Sequence, residues 1–229
     1  MNFDFIRNHK TVGIMGGHSL TRDDDDFALI AETAWRLTQA GYFISTGGGP
    51  GAMEAGNLGA YLSGQPIEDL MKAIELLKTA PTYRSPGWFD TALEVLDRHP
   101  DGAESLGVPT WFYGHEPSNL FASHIAKYFA NSVREDGLLA ISQGGIIYAK
   151  GAAGTVQEIF QDACQNHYVT CDVVSPMVFL GSQYWTQTLP VLPLIKALAG
   201  DRLYADYIGV ADSVEHILEF ITAHPPTKA

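Results

Sequence analysis

The chain has 229 residues, of which 46% are apolar and 17% charged, enough apolar side chain to build a packed core and to exclude disorder as its dominant state. Its 14 Lys and Arg against 26 Asp and Glu leave a formal net charge of −12, with no basic tract. That excludes nucleic acid as an expected partner, because neutralisation of phosphates by Lys and Arg supplies most of such affinity. A small anionic ligand stays open, since a few local donors are enough to hold one.

The elements follow in chain order. Residues 11–15 read as a β-rich run that ends in Gly16-Gly17. Residues 27–40 carry Phe27, Ile30, Ala31, Ala34 and Leu37 at helical spacing, and the acidic run 23–26 with Thr21 supplies a cap and negative charge for the helix start rather than a metal cluster. A strand over 42–46 runs into Gly47-Gly48-Gly49-Pro50-Gly51, and Pro50 suits the first turn of a helix over 51–62. Residues 63–106 differ in character and read as an insertion or flap within the same single domain, with helical patches at 67–78 and 89–96. A strand over 108–113 and an amphipathic helix over 120–133, with Phe121, Ile125, Tyr128, Phe129 and Val133 on one face, come next. Strand material at 138–141 and 146–149 precedes a helix over 155–168, a strand at 177–180, a helix over 189–198, a strand at 208–210 and a helix over 213–222. Such alternation predicts an α/β, Rossmann-like, doubly wound parallel sheet with helices on both faces.

Cys164 and Cys171 lack CxxC spacing and read as reduced thiols. Residues 1–10 contain no apolar signal core, and the apolar stretch 189–199 is broken by Pro190, Pro193 and Lys196. A cytoplasmic chain with no membrane partner is the expectation.

Both glycine clusters fall at the carboxyl ends of expected strands and feed helices, where ligands of such sheets bind. Glycine lets backbone approach a ligand, and a helix N-terminus offers unpaired N–H groups suited to phosphate. The P-loop pattern GxxxxGK[ST] is missing, and the first loop lacks both GxGxxG spacing and a following ribose-binding acid. What remains is a mononucleotide or a sugar phosphate. In the second loop, Lys150-Gly151-Ala152-Ala153-Gly154-Thr155-Val156-Gln157-Glu158, the glutamate has two readings. It projects from the phosphate-binding end of the helix, or it closes a Thr155-x-x-Glu158 capping box.

These residues resemble the Lonely Guy family, whose members are often labelled lysine decarboxylases. Gly47–Gly51 with Ala52-Met53-Glu54 looks like that family's glycine loop, and residues 150–158 look like its PGGxGTxxE motif. The likeness is closer to bacterial nucleotide 5′-monophosphate nucleosidases, through Gly16-Gly17-His18-Ser19, Gly114-His115-Glu116-Pro117, Arg134-Glu135-Asp136 and Gly154-Thr155-Val156-Gln157-Glu158.

The resemblance implies hydrolysis of the N-glycosidic bond of a nucleoside 5′-monophosphate to free base and ribose 5-phosphate, with no cofactor and no metal. It implies Arg134 and Glu158 as the catalytic pair, Arg134 closing the helix over 120–133, where it would hold the phosphate or ribose and keep Glu158 ionised. The amides of Gly48, Gly49, Gly51, Gly151 and Gly154, with the Thr155 hydroxyl, would hold the phosphate. Gly17, Ser19, His115 and Glu116 would face the ribose and base, Met53 would line the substrate site, and Lys150 would serve as a phosphate cation. A homodimer or higher homo-oligomer is implied too, through the helices over 120–133 or 155–168.

The sequence departs from the family at Lys150 and Ala152, which replace the Pro and second Gly of PGG. It departs again at Glu135, which replaces a Lys of the plant-type enzymes and argues against a cytokinin riboside monophosphate as substrate. A nucleotide-binding sensor without catalysis is the alternative from another class. The pocket wall that selects the base is expected to include Tyr83, Arg84 and Trp88.

Overall fold

The computed structural model describes residues 10–111 and 117–228. Seven described strands form one parallel sheet in the order β4-β3-β2-β1-β5-β6-β7. They are β1 (Lys10–Met15), β2 (Tyr42–Thr46), β3 (Ser105–Gly107), β4 (His124–Ile125), β5 (Gly145–Tyr148), β6 (Met177–Leu180) and β7 (Ile208–Ala211). The described α-helices are α1 (Asp25–Gln39), α2 (Ala52–Tyr61), α3 (Ile67–Leu77), α4 (Trp88–Arg98), α5 (Asn131–Ile141), α6 (Ala153–Tyr168), α7 (Val191–Ala199) and α8 (Val214–Ala223). The doubly wound α/β expectation holds.

The central strands are apolar on both faces, as strands covered from two sides must be. Val12, Ile14, Ile44, Ile147 and Val178 point into one core, closed by α1, α2, α3, α4 and α8. Their neighbours Met15, Phe43, Ile146, Tyr148, Met177 and Phe179 point into the other, closed by α5, α6 and α7. The period-2 alternation of the strand therefore assigns every second residue to a different core. α1 and α2 cross so closely that a Cβ on Gly59 would lie 1.9 Å from the carbonyl oxygen of Ala31, a separation only glycine permits. The segment 63–106 carries α3 and α4, whose Leu70, Ala73, Ile74, Leu77, Ala92 and Val95 are buried in the first core.

Three expectations are corrected. The helix expected over 120–133 is absent. Those residues run extended through β4, and the helix starts at Asn131 and takes in residues 138–141, which had read as a strand. The amides of this segment go to the sheet edge instead, Ala126 N–H donating to the Gly107 carbonyl and Tyr128 N–H to the Pro109 carbonyl, each at 3.0 Å. The apolar set also fails to share a face, since Phe121 is fully buried while Ile125, Phe129 and Val133 are 55%, 68% and 56% exposed. The third strand is shifted, occupying Ser105–Gly107, and the part expected at 112–113 lies outside the described residues. The acidic run does open α1 as expected: Asp24 is its N-cap, its carboxylate accepting the Asp26 amide at 2.9 Å, with Asp25 and Asp26 in the first turn, while the Thr21 side chain takes no part in the cap.

Candidate active site at the switch in strand order

β1 lies between β2 and β5, so strand order reverses there and the connections leave on opposite faces. That point opens a crevice beyond the strand ends, the place where ligands bind in such sheets. A cavity of about 300 Å³ occupies it, lined by Met15, Gly16, Gly17, His18, Ser19, Gly47, Met53, Arg134, Glu135, Ala152, Ala153, Gly154, Thr155 and Glu158. Seven of the residues expected in the site thus meet: Gly17, Ser19, Met53, Arg134, Gly154, Thr155 and Glu158.

Arg134 lies in the first turn of α5 and not at a helix C-terminus. Helix dipoles disfavour a cation at that end, so complementing the helix does not explain it. Its partners do. Nη1 donates to Glu158 Oε1 at 3.0 Å and Nη2 to Asn131 Oδ1 at 3.0 Å. Nε is buried without an acceptor, a loss of about 1–3 kcal/mol that calls for an explanation where it occurs.

The capping box does not form. The N-cap of α6 is Ala152, with no side-chain cap bond, and Thr155 sits third in the helix, so Glu158 is free to reach Arg134. Ala152 has φ −114°, so replacing the family's glycine asks for no left-handed backbone. The amides of Ala153, Gly154 and Thr155 open the helix and have no intrahelical acceptor. Tyr184 donates its hydroxyl to the Gly151 carbonyl at 2.6 Å and so anchors the loop from behind.

Burial raises the Glu158 carboxyl to about 7, against the lowering effect of Arg134 and with a further push from Glu135. Arg134 is therefore not enough to keep it fully ionised at neutral pH, contrary to expectation. Glu135, read from the sequence only as a departure from the plant-type enzymes, also lines the cavity. It is 1% exposed, accepts Asn131 Nδ2 at 2.6 Å and also accepts Gln157 Nε2, and it leaves the cavity with two carboxylates and one guanidinium. The signal for that placement was the helical i, i+4 pairing of Asn131 with Glu135, hidden while the helix was placed over 120–133.

The other expected residues stand elsewhere. The Gly48 amide donates to Thr46 Oγ1 at 2.9 Å and the Gly49 amide to Met53 Sδ at 3.4 Å, so both are occupied inside the loop. Asn119 holds the same loop, accepted by the Gly49 carbonyl at 3.0 Å. Gly51, at φ +72°, packs against Gly17, where a Cβ would lie 2.5 Å from the Gly17 oxygen, and it lines a neighbouring cavity. Gly151 packs on the Thr155 side chain. Lys150 turns its ammonium away, to Asp26 at 2.8 Å, and that hydrogen bond raises its pKa. Only its carbonyl faces the site loop, accepting the Gly17 amide at 3.0 Å. Its expected role as a phosphate cation is corrected on this geometry. His115 and Glu116 lie outside the described residues.

No described helix is long and apolar enough to cross a membrane, and no described group of three or more His, Cys, Asp or Glu could hold a metal ion.

No family model and no curated protein matches the chain. Solved structures do. The chain is similar to the molybdenum cofactor binding protein of Rippkaea orientalis at 16% identity and a TM-score of 0.59, covering 94% of this chain and 96% of that one. It is similar to the structural-genomics target TM1055 at 18% identity and a TM-score of 0.58, covering 93% and 99%. It is also similar to the molybdenum cofactor (Moco) carrier protein of Chlamydomonas reinhardtii at 16% identity and a TM-score of 0.53, covering 94% and 96%. At these identities the likeness establishes the Rossmann-like fold over nearly the whole chain.

Proposed function

We propose that the chain hydrolyses the N-glycosidic bond of nucleoside 5′-monophosphates, releasing the base and ribose 5-phosphate. The observation that carries the reading is the buried Glu158–Arg134 pair at 3.0 Å, set beside the open amides of α6 at the switch in strand order. The α6 amides and the Thr155 hydroxyl take the 5′-phosphate, since no lysine is among the described residues that line the cavity. Breaking the bond builds positive charge on the anomeric carbon, which the Glu158 carboxylate stabilises. Water adds its oxygen to that carbon while its proton passes to Glu158. The C–N bonding pair leaves on the base, and the proton returns to the base nitrogen, restoring the carboxylate. Arg134 fixes Glu158 and balances its charge.

The test is release of ribose 5-phosphate from a panel of nucleoside 5′-monophosphates. Since the ionised carboxylate is the working form and its pKa is about 7, kcat/KM is expected to rise with pH and reach half its plateau near that value. A profile flat from pH 5 to about 9 would remove Glu158 from the reaction.

Solved neighbours named for binding or carrying the molybdenum cofactor support a second reading, a protein that holds a small ligand without cleaving it. Tight binding with no product across the panel would favour it.

The chain works as a homodimer or a higher homo-oligomer. Ile125, Phe129 and Val133 are exposed along the segment that leads into Arg134, with Trp111 stacked on Phe129 at 5.9 Å, and such an apolar patch suits a second copy. Light scattering is expected to return at least twice the chain mass and Phe129→Glu to reduce it; a monomer from the unmodified protein removes this point.

A further inference from the structure

A second cavity, of about 310 Å³, adjoins the first and shares His18 and Ser19 with it. Its far wall is the segment after α3, with Pro81, Thr82, Tyr83 and Arg84, and its floor is Gly51, Glu54 and Trp88. Each cavity alone is at the small end of the roughly 300–1,000 Å³ that ligand sites span, so a nucleotide placed with its phosphate on α6 has the second as its natural extension.

The chemistry of the second cavity is specific. Arg84 holds its guanidinium 5.2 Å from the centroid of the Tyr83 ring, and no carboxylate among the described residues pairs with it. Tyr83 thus steadies a fork of donors at the cavity wall. Glu54, the carboxylate in that floor, is already bound by Arg22 at 2.5 Å and leaves Arg84 unclaimed. A guanidinium donates only, and two adjacent acceptors match its fork.

We infer that this second cavity is the base subsite and that Arg84, steadied by Tyr83, selects a 6-oxopurine over a 6-aminopurine. O6 and N7 of guanine or hypoxanthine offer two neighbouring acceptors, whereas adenine places an amino donor beside N7. The inference rests on the nucleotide reading of the adjoining cavity. It adds the substrate class and the residue that sets it.

The experiment compares GMP and AMP on the unmodified protein and on Arg84→Ala, with kcat/KM for each and equilibrium binding by calorimetry in parallel. GMP is expected to be preferred at least about tenfold, and Arg84→Ala to lower kcat/KM for GMP by about tenfold to a hundredfold while AMP changes less than threefold. Arg84→Lys should recover little, because an ammonium has no fork. Equal use of the two nucleotides, or an equal loss for both in Arg84→Ala, overturns the inference and leaves the hydrolase reading intact. If no nucleotide of the wider panel is cleaved, the hydrolase reading fails and binding of GMP and AMP decides; cleavage of pyrimidine nucleotides alone overturns the inference and keeps that reading. Tighter binding of GMP that Arg84→Ala abolishes keeps the subsite, and equal or absent binding removes it.

Discussion

Glu158→Gln is expected to lower turnover of a nucleoside 5′-monophosphate by about two to four orders of magnitude, the range that general acid–base groups supply, with binding retained. The substitution keeps the shape and an acceptor oxygen for Arg134 Nη1, now 3.0 Å away, but removes the negative charge and the basicity that the proposed reaction asks of Glu158. Since Glu158 is buried and holds Arg134, a loss of activity could also follow from misfolding, so the variant has to be read with circular dichroism and calorimetric binding. A folded Glu158→Gln that binds nucleotide and releases no ribose 5-phosphate fits the proposed role. Its residual rate should also lose the rise with pH near 7, because the titrating group is gone. Wild-type turnover in Glu158→Gln would falsify the assignment. An unfolded variant would instead make the pair structural, and Arg134→Lys, which keeps the charge and loses the two-armed bond to Glu158 and Asn131, would then carry the comparison.

The sheet was legible because its signal is local and repeated. Strands such as Ile146–Tyr148 and Met177–Leu180 are short apolar runs, each followed by a longer helical pattern, and a chain so arranged has few ways to bury both strand faces. Glu158 and Arg134 were legible through motif resemblance, and the structure brings them together across 24 positions of sequence. What failed depended on partners distant in the chain. The helix over 120–133 had helical spacing, but β4 joins the sheet edge at β3, which periodicity does not report. Thr155 and Glu158 had capping-box spacing, yet the helix begins two residues before Thr155, so the box has no cap position to act from. Lys150 looked available because nothing nearby in sequence neutralises it; Asp26 arrives from the start of α1, on another strand connection.

Arg22 had no sequence signal at all, and replacing it is expected to be the most destabilising single change in the chain. Its side chain is 1% exposed and all three nitrogens are engaged: Nε and Nη2 with Glu54 at 3.1 and 2.5 Å, and Nη1 with the carbonyls of Ala80 and Trp88 at 3.2 Å and with Thr91 Oγ1 at 3.0 Å. The guanidinium also lies 4.7 Å from the Trp88 ring centroid. One side chain therefore ties α2, through Glu54, to the end of α3 and the start of α4, the stretch that carries Tyr83 and Arg84. Burial already raises the Glu54 pKa, with Arg22 lowering it in opposition. Arg22→Met leaves that carboxylate buried with no counter-charge, a loss of about 3–5 kcal/mol in urea unfolding. The sign with pH follows. Glu54 in the variant folds best when protonated, so the loss should shrink as pH falls toward the ordinary carboxylate range and grow above it. Arg22→Met with Glu54→Leu should recover most of the stability, because the charge needing a partner is gone. It should not recover selectivity between GMP and AMP to the same degree, since the cavity wall would have lost its tether. A single variant within about 1 kcal/mol of the unmodified protein would mean that the wall is held by packing alone.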